Sequence, residues 1–255
     1  MNKTILVIGA GQGLGFGIAK KFAGEGYKVV LVARNRDSLE RMCDELKSKG
    51  AKVHNKVADS SEDREYVETL EEIKAEFGTP DVVVYNVGIT APDPGNLTTD
   101  EIIRHFKTDV AGAWSTVKVF AEDEFAKKKG AIIFTGGGLA FYPADVFIPL
   151  SMDKAAIRSL AYILNNKFKE RGIFVGTVTV CGTINGDDYF SADNIAEMYW
   201  QMNEKRDRCE YVYQYPELKP SKLYEDDKVE YSLFEENSGK YWGEVYRLMT
   251  SNNNK

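Results

Sequence analysis

Apolar runs of strand length alternate along this chain with segments whose apolar residues recur at helical spacing. The strand-like runs lie at residues 4–8, 29–32, 52–58, 80–89, 130–139, 173–182 and 209–215. Helical spacing is found at residues 14–22, 36–47, 62–77, 99–129, 153–172 and 191–202, and the fourth of these segments is predicted as one long helix. Alternation at the spacing of βαβ units predicts an α/β fold, a doubly wound parallel sheet of about seven strands with helices on both faces.

Chain length and a change of composition near residue 216 predict the domain organisation. The 255 residues suit one large α/β domain, which we assign to residues 1–215, and two independent domains are the less favoured alternative. Residues 216–255 are rich in charged and aromatic side chains, and we expect them to pack on the domain or on a neighbouring subunit. The last five residues, 251–255, are expected to be disordered.

The charge balance narrows the classes of partner. The 39 acidic and 33 basic residues give a formal net charge of −6, which argues against nucleic acid or an anionic membrane as the main partner. No apolar run approaches the ~20 residues that cross a bilayer. A core strand begins almost directly after residue 1, which leaves no room for a secretory leader. We therefore expect a soluble, cytoplasmic protein.

Cysteine and histidine supply little recognisable chemistry. Cys43, Cys181 and Cys209 lie far apart without metal-ligand spacing, so neither a disulfide framework nor a zinc site is predicted. Cys181 is interpreted as a small buried residue, with a reactive thiol as the alternative. His54 and His105 are too few for a histidine-based metal site, and we expect them at helix or strand ends without a catalytic role. No bound metal is predicted.

A cluster of glycines follows the first strand and precedes the first helical segment. Gly9 lets the chain leave the strand sharply, Gly13 lets the backbone approach a pyrophosphate, and Gly15 allows close packing of helix and strand. The free N–H groups and the dipole of a helix N-terminus favour a phosphate at this place. We assign Gln12 and Leu14, which lie within the cluster, to the same binding turn. A tight turn that binds nothing is the alternative.

The spacing of these glycines, Gly-x-x-x-Gly-x-Gly, resembles the motif of the short-chain dehydrogenase/reductase family. The resemblance covers roughly residues 4–202. It implies a Rossmann fold, hydride transfer between a nicotinamide cofactor and a small-molecule substrate, and homodimers or homotetramers that form through the helices around 99–129 and 153–171.

The residue at the end of the second strand distinguishes the two nicotinamide cofactors. An acid there bonds the ribose 2′-hydroxyl of NAD, whereas an arginine suits the 2′-phosphate of NADP. Arg34 stands there and no acid does, so NADP(H) is the predicted cofactor and NAD is the less favoured one. The alternative is that Arg34 is an exposed charge flanking the next helix.

Three further strand ends match the family's cofactor contacts residue by residue. Asp59, just past the third strand, matches an acid that contacts the adenine ring, although it would equally suit a helix N-cap. Asn86 and Gly88 match the family's Asn-Asn-Ala-Gly motif, which stabilises the sheet and leaves room for the adenosine ribose. Gly182 and Ile184 match its Pro-Gly-x-Val turn, whose backbone meets the nicotinamide amide.

The family's catalytic positions are largely altered. Lys154 matches the lysine that binds the nicotinamide ribose and lowers the pKa of a catalytic tyrosine. The tyrosine position is Leu150, which has no proton to transfer, and the position of the carbonyl-polarising serine is Gly137, which offers no hydroxyl. The relay asparagine is replaced by Asp109, whose carboxylate, if buried, would carry charge or have a raised pKa. Substitute proton donors near these positions are Thr135, Tyr142, Ser151 and Asp153.

Two functions from different classes follow. The first is an NADP(H)-dependent oxidoreductase that moves a hydride between nicotinamide and a small carbonyl- or alcohol-type substrate with a non-standard proton donor. The second is a catalytically inactive NADP(H)-binding protein, either a redox sensor or a partner subunit. We favour the first, because the cofactor performs the hydride chemistry and the protein has to position substrate and supply charge stabilisation.

Overall fold

In a computed structural model of the chain, residues 3–217 and residue 247 are described, and residues 3–217 form a parallel β-sheet between helices. The strands in this part are β1 Thr4–Ile8, β2 Lys28–Ala33, β3 Val53–Val57, β4 Val82–Tyr85, β5 Ala131–Gly137, β6 Phe174–Val180 and β7 Glu210–Tyr213. Their order across the sheet is β3-β2-β1-β4-β5-β6-β7, and all neighbouring pairs are parallel. The predicted doubly wound sheet is confirmed.

Helices cover both faces of this sheet. Those within residues 3–217 are α1 Leu14–Gly24, α2 Arg36–Ser48, α3 Asp63–Phe77, α4 Thr99–Phe106, α5 Gly112–Phe120, α6 Asp123–Lys127, α7 Ile148–Phe168 and α8 Ala192–Lys205. Helices α1, α2 and α8 pack on one face, and α3, α5, α6 and α7 pack on the other, each group over its own apolar core. Because the strand order reverses between β1 and β4, a crevice opens at their carboxyl ends.

The central strands are continuous apolar runs because both of their faces are buried. In β1, Ile5 and Val7 enter the core under α1, α2 and α8, whereas Leu6 and Ile8 enter the core under the other helices. This follows from the two-residue period of side chains along a strand. Full burial of such a side chain contributes roughly 1.5–3 kcal/mol to the free energy of folding. Burial of the apolar side chains on both faces therefore stabilises β1 at the centre of the sheet.

The single long helix predicted over residues 99–129 is wrong, because the structure divides this segment into three helices with a π-helical turn at Lys107–Ala111. In that turn the carbonyl oxygen of Thr108 accepts hydrogen bonds from the Tyr85 hydroxyl at 2.5 Å and from the Ser60 hydroxyl at 3.2 Å. Two side chains from other elements therefore bind a carbonyl of this segment, and helical periodicity does not reveal them.

The second break in this segment follows helix α5. Ala121 has ψ 55°, and its carbonyl oxygen accepts a hydrogen bond of 3.0 Å from the Arg171 guanidinium. Arg171 also pairs with Asp123, at 3.1 Å, in the first turn of α6. A partner about fifty positions away in the sequence thus stabilises the interruption.

The starts of helices α7 and α8 can be compared with the helical segments predicted from the sequence. Helix α7 begins at Ile148, earlier than the predicted start at residue 153, and Pro149 lies in its first turn, where the fixed φ of proline suits a helix. Helix α8 begins close to the start of the predicted segment 191–202, and the Ser191 hydroxyl caps it by accepting a hydrogen bond of 3.4 Å from the Asn194 amide. The predictions for residues 216–255 lie outside the described residues, apart from residues 216, 217 and 247.

Across residues 3–217 no helix combines the length and apolar character that a membrane span requires. The same part of the chain contains no group of three or more side chains arranged to hold a metal ion. Cys43, Cys181 and Cys209 are all buried and form no disulfide with one another, and the interpretation of Cys181 as a buried residue is confirmed.

Candidate cofactor and catalytic site

The glycine turn joins β1 to α1 at the crevice. Gly9 has φ +81°, in the left-handed region, and a Cβ there would lie 2.6 Å from the backbone carbonyl of Asn86. A Cβ on Gly15 would collide with the carbonyl oxygen of Gly9, so close packing requires glycine there. A Cβ on Gly13 would come no closer than 3.8 Å to Nδ2 of Asn185. The turn is therefore open in front of Gly13, and the packing of neighbouring atoms does not require glycine at this position.

Asn86 ties the end of β4 to this turn. Its amide nitrogen donates a hydrogen bond of 2.9 Å to the carbonyl oxygen of Gly9. Its amide oxygen accepts a hydrogen bond of 2.8 Å from the Thr135 hydroxyl, which lies 2.7 Å from the Tyr199 hydroxyl. The chain of polar contacts runs from α8 through β5 and β4 to β1, and it fixes the glycine turn relative to the sheet.

A cavity of about 370 Å³ opens in front of the turn, between the carboxyl ends of β1, β2, β3 and β4. It gathers five of the residues that the sequence assigns to the cofactor, namely Gly9, Arg34, Asp59, Asn86 and Gly88. The other predicted binding residues lie outside its lining, and these are Gln12, Gly13, Leu14, Gly15, Lys154, Gly182 and Ile184. Gln12 is exposed beside the turn, whereas Leu14 is buried as the first residue of α1.

Arg34 and Asp59 lie next to each other in the wall of this cavity. The Arg34 guanidinium lies 3.6 Å from the Asp59 carboxylate, and the Arg34 side chain is 68% exposed. Partial burial works against ionisation of Asp59, but two hydrogen bonds from Ser61 and the charge of Arg34 outweigh it and hold its pKa below the ordinary value. Asp59 does not cap helix α3, whose N-cap residue is Glu62.

Sequence reasoning missed Asn35 and Ser38, which line the cavity beside Arg34. The Asn35 side chain caps α2 by accepting a hydrogen bond of 2.8 Å from the Ser38 amide. The N-terminus of α2 and the Ser38 side chain thus face the same space as the Arg34 charge. The available signal was a capping asparagine directly after Arg34, with a serine in the first helical turn.

Lys154 lies at the other end of the crevice, beyond Gly88. Its ammonium group donates a hydrogen bond of 2.9 Å to the carbonyl oxygen of Thr135. A Cβ on Gly88 would lie 3.4 Å from Nζ of Lys154 and 3.5 Å from Oδ2 of Asp109. The absence of a side chain at Gly88 therefore leaves both charged groups close to the end of β4.

Asp109 is 1% exposed and is held by the backbone of Ile89, whose amide lies 3.1 and 3.2 Å from its two carboxylate oxygens. Burial raises the pKa of Asp109, whereas the positive charge of Lys154 and the Ile89 amide work in the opposite direction. Burial lowers the pKa of Lys154, and the neighbouring carboxylates partly restore it. The sequence left two consequences of burial open for this carboxylate, a buried charge or a raised pKa, and the direction of the shift corresponds to the second.

The two altered catalytic positions flank the lysine. A Cβ on Gly137 would lie 3.2 Å from Cγ and 3.4 Å from Cε of Lys154, so glycine at this position lets the buried lysine stem pack closely against the end of β5. Leu150 is 5% exposed on α7 and presents no polar atom. The arrangement places a buried ammonium group close to the ends of β4 and β5, but it lacks the hydroxyl pair of the family.

The turn after β6 is shaped by Phe190. A Cβ on Gly182 would collide with the ring of this residue, and Ile184 packs against the same core. Asn185 has φ +59°, and its side-chain oxygen accepts a hydrogen bond of 2.9 Å from the first amide of α8. The loop therefore runs past the open face of Gly13 in a fixed conformation.

Comparisons with known proteins agree with this architecture. A family model described as short chain dehydrogenase matches residues 3–188. The 3-oxoacyl-acyl-carrier-protein reductase FabG of Staphylococcus epidermidis is 30% identical over 191 residues, which are 70% of this chain and 74% of that protein.

Two solved structures share the fold. An alcohol dehydrogenase from the archaeon Thermococcus sibiricus, complexed with 5-hydroxy-NADP, superposes with a TM-score of 0.73 at 24% identity, covering 86% of this chain and 100% of that one. A short chain dehydrogenase from Burkholderia cenocepacia in complex with NADP gives 0.74 at 22% identity, covering 83% and 96%. With the family match spanning the sheet from β1 to β6 and its glycine turn, the chain belongs to the short-chain dehydrogenase family.

Proposed function

We propose that this member of the family is an NADP(H)-dependent oxidoreductase that moves a hydride between nicotinamide and a small carbonyl- or alcohol-type substrate. The observation that carries the cofactor assignment is the position of Arg34 in the cavity wall, at the end of β2 and beside the N-terminus of α2. A cation and helix amides at that place favour the 2′-phosphate of NADP. The NADP complexes of two proteins with this fold support the assignment.

The residues at the site fit this cofactor. The open face of Gly13 leaves room where a Cβ would project, and the first turn of α1 offers free amides to a diphosphate. Gln12, Leu14 and Gly15 complete that turn. Asp59 is placed for the adenine end, and Asn86 with Gly88 for the ribose between them.

At the nicotinamide end Lys154 binds the ribose, and Gly182 and Ile184 form the backbone turn that meets the amide. When bound, the cofactor supplies or accepts the hydride. The chain's own part is to hold the substrate beside Lys154, to stabilise negative charge on its oxygen and to provide a proton without a tyrosine.

A catalytically inactive NADP(H)-binding protein is the second candidate. The specific observation in its favour is that Gly137 and Leu150 remove both side-chain hydroxyls that the family uses, while the cavity around Arg34 and Asp59 is intact. Such a protein binds NADPH and turns over no carbonyl compound.

Restoring the two hydroxyls tests whether catalytic groups alone limit the reaction. We expect Gly137→Ser combined with Leu150→Tyr to raise the rate of NADPH-dependent ketone reduction roughly tenfold or more, because a positioned proton donor contributes about 10²–10⁴-fold. The measurement is steady-state oxidation of NADPH with 2,3-butanedione, cyclohexanone and 9,10-phenanthrenequinone. Wild-type turnover of none of these probes would contradict the oxidoreductase proposal. A double variant no faster than an active wild type would show that the missing hydroxyls do not limit the reaction.

We also propose a homo-oligomer, formed through an apolar face on α4, α5 and α7. Its members are 41–58% exposed, and they are Ile103, Phe106, Trp114, Met152 and Ile163. Large apolar side chains exposed to this extent favour an interaction site, and a second copy of the chain offers a matching surface.

A charge placed on this face is expected to separate the subunits. Ile163→Glu should give a monomer in size-exclusion chromatography with light scattering, because an interface would bury the new carboxylate without a partner. Lys47→Glu on the exposed side of α2 makes a comparable surface change and should leave the wild-type mass unaltered. A wild-type protein that is already monomeric at micromolar concentration would refute the interface.

A further inference from the structure

Four ionisable side chains are buried together behind the nicotinamide end of the crevice. Lys154 and Asp153 lie on α7, Asp109 on the π-helical turn and His105 in the last turn of α4. Each is at most 7% exposed. We call these four residues the Lys154 cluster. No catalytic role was expected for His105 from the sequence, and its proximity to Asp153 depends on the packing of α4 against α7.

Two polar atoms of the cluster face each other without hydrogen-bond partners. Nδ1 of His105 and Oδ2 of Asp153 are 3.9 Å apart, both are buried, and neither has a partner among the described residues. An imidazole nitrogen without hydrogen and an ionised carboxylate would be two acceptors in contact, which is costly in a buried site. A proton between the two atoms turns the contact into a charge-assisted hydrogen bond after a small side-chain movement.

The charge balance of the cluster also favours this proton. With Lys154 charged and both carboxylates ionised, the cluster would carry a buried net negative charge, and a proton on Asp153 removes it. Burial and the charge of Asp109 raise the pKa of Asp153 to about 7, against the opposing effect of Lys154. A proton held there is exchangeable at neutral pH.

Lys154 is the member of the cluster that reaches the strand ends. Its Nζ lies 3.4 Å from the Cβ position of Gly88. The negative charges of Asp109 and Asp153 both act on Lys154. Lys154 therefore lies next to the carboxyl end of β4 and within electrostatic range of Asp153, which shares the proton with His105.

The other substitute donors predicted from the sequence are engaged elsewhere. The Thr135 hydroxyl donates to Asn86. The Ser151 hydroxyl donates to the carbonyl oxygen of Phe147 at 2.7 Å and accepts from the Ala144 amide at 3.2 Å. Tyr142 belongs to the apolar core under α1 and α8, on the other face of the sheet.

We propose that Lys154 itself delivers the proton to the substrate oxygen and that Asp153, which shares a proton with His105, returns one to the lysine. The inference rests on the proposed function. In carbonyl reduction the carbon gains a hydride from the reduced nicotinamide, which is thereby oxidised, and the C=O electron pair moves to oxygen. An N–H bond of the Lys154 ammonium breaks as the O–H bond forms. The neutral amine then takes the proton held by Asp153 and His105, and solvent restores it. Lys154 is the catalytic residue, and Asp153 and His105 are positioning and proton-supply residues.

Asp153→Asn tests the proton supply with a side chain of the same shape. The wild-type kcat for reduction is expected to fall as pH rises through about 7, because the supply proton is lost above that pH. In Asp153→Asn, kcat at pH 6 should drop roughly tenfold or more and this fall with pH should vanish, while the Kd for NADPH stays within about twofold. The matched control is Glu210→Gln, which removes the charge of a buried carboxylate on β7 that pairs with Arg158 of α7. This variant should keep the wild-type pH profile.

A second measurement needs neither substrate nor cofactor. The probe is the Cε resonance of Lys154 in lysine-labelled apo protein, which is assigned by its loss in Lys154→Arg. We expect this resonance to titrate with a midpoint below the ordinary lysine pKa. The midpoint should fall further in Asp153→Asn, because a carboxylate that stabilises the charged lysine is removed. This outcome, with the kinetic result, supports the inference. An ordinary Lys154 midpoint, or a wild-type pH profile in Asp153→Asn with carbonyl turnover intact, overturns it and leaves the proposed function standing. Absence of turnover in the wild type overturns both. If Asp153→Asn does not fold, His105→Gln takes its place with the same expected loss of the pH dependence.

Discussion

Gly9→Ala is expected to lower the free energy of unfolding by roughly 3 kcal/mol and to abolish cofactor binding. The left-handed φ of +81° costs an alanine about 1–2 kcal/mol. Its Cβ would also lie 2.6 Å from the carbonyl carbon and oxygen of Asn86, and relief of such an overlap costs about 1–3 kcal/mol more. Neither neighbour can yield cheaply, because both are backbone in the centre of the sheet.

Thermal unfolding measures this effect, and a loss of roughly 3 kcal/mol lowers the Tm by about 10 °C in a protein of this size. Gly11→Ala is the matched control, because a Cβ there meets no atom within 4 Å among the described residues. We expect its stability to stay within about 0.5 kcal/mol of wild type. Equal Tm values for the two variants would contradict the geometry of the glycine turn.

Arg34→Ala is expected to weaken NADPH binding by roughly 10- to 100-fold and to leave NADH binding unchanged. A charge-assisted hydrogen bond contributes about 1.5–3 kcal/mol, and only NADPH carries the 2′-phosphate that accepts it. Removal of Arg34 also frees Asp59, whose negative charge then opposes a phosphate in the same cavity. The effect should weaken at high salt, because the Arg34 side chain is 68% exposed.

Isothermal calorimetry of both cofactors with the variant gives this difference directly. Arg36→Ala, in the first turn of α2 and outside the cavity lining, removes a neighbouring charge and should leave both affinities near the wild-type values. A parallel loss of NADPH and NADH affinity in Arg34→Ala would show that Arg34 supports the fold of the site rather than reading the 2′-phosphate.

The strands and the glycine turn could be predicted because their causes are local. A strand covered on both faces has to be apolar at each position, as in β1, and a turn that must pass under Asn86 has to contain glycine. Arg34, Asp59, Asn86 and Gly88 end successive strands, and parallel strands bring their carboxyl ends to one edge. Position along the chain was therefore enough to place them together.

The interruptions and the Lys154 cluster could not be predicted because their causes are distant in the sequence. The π-helical turn coincides with hydrogen bonds from Tyr85 and Ser60 to Thr108, and the end of α5 with the bond from Arg171 to Ala121. His105 meets Asp153 because α4 packs on α7, which no pattern within either helix determines. The same is true of the substitute proton donors. Proximity in the sequence indicated four candidate groups, whereas the packing of the helices leaves Asp153 with an unpaired carboxylate oxygen.

Although this member of the family lacks the catalytic hydroxyls, we expect it to hold NADP(H) in the Arg34 cavity. Calorimetric titration of the wild-type protein with NADPH and with NADH, at equal ionic strength, tests this expectation most directly. We predict saturable one-to-one binding of NADPH, at least about tenfold tighter than NADH, as one charge-assisted contact to the 2′-phosphate requires. Binding of neither cofactor, or equal affinity for both, would contradict cofactor binding at this site.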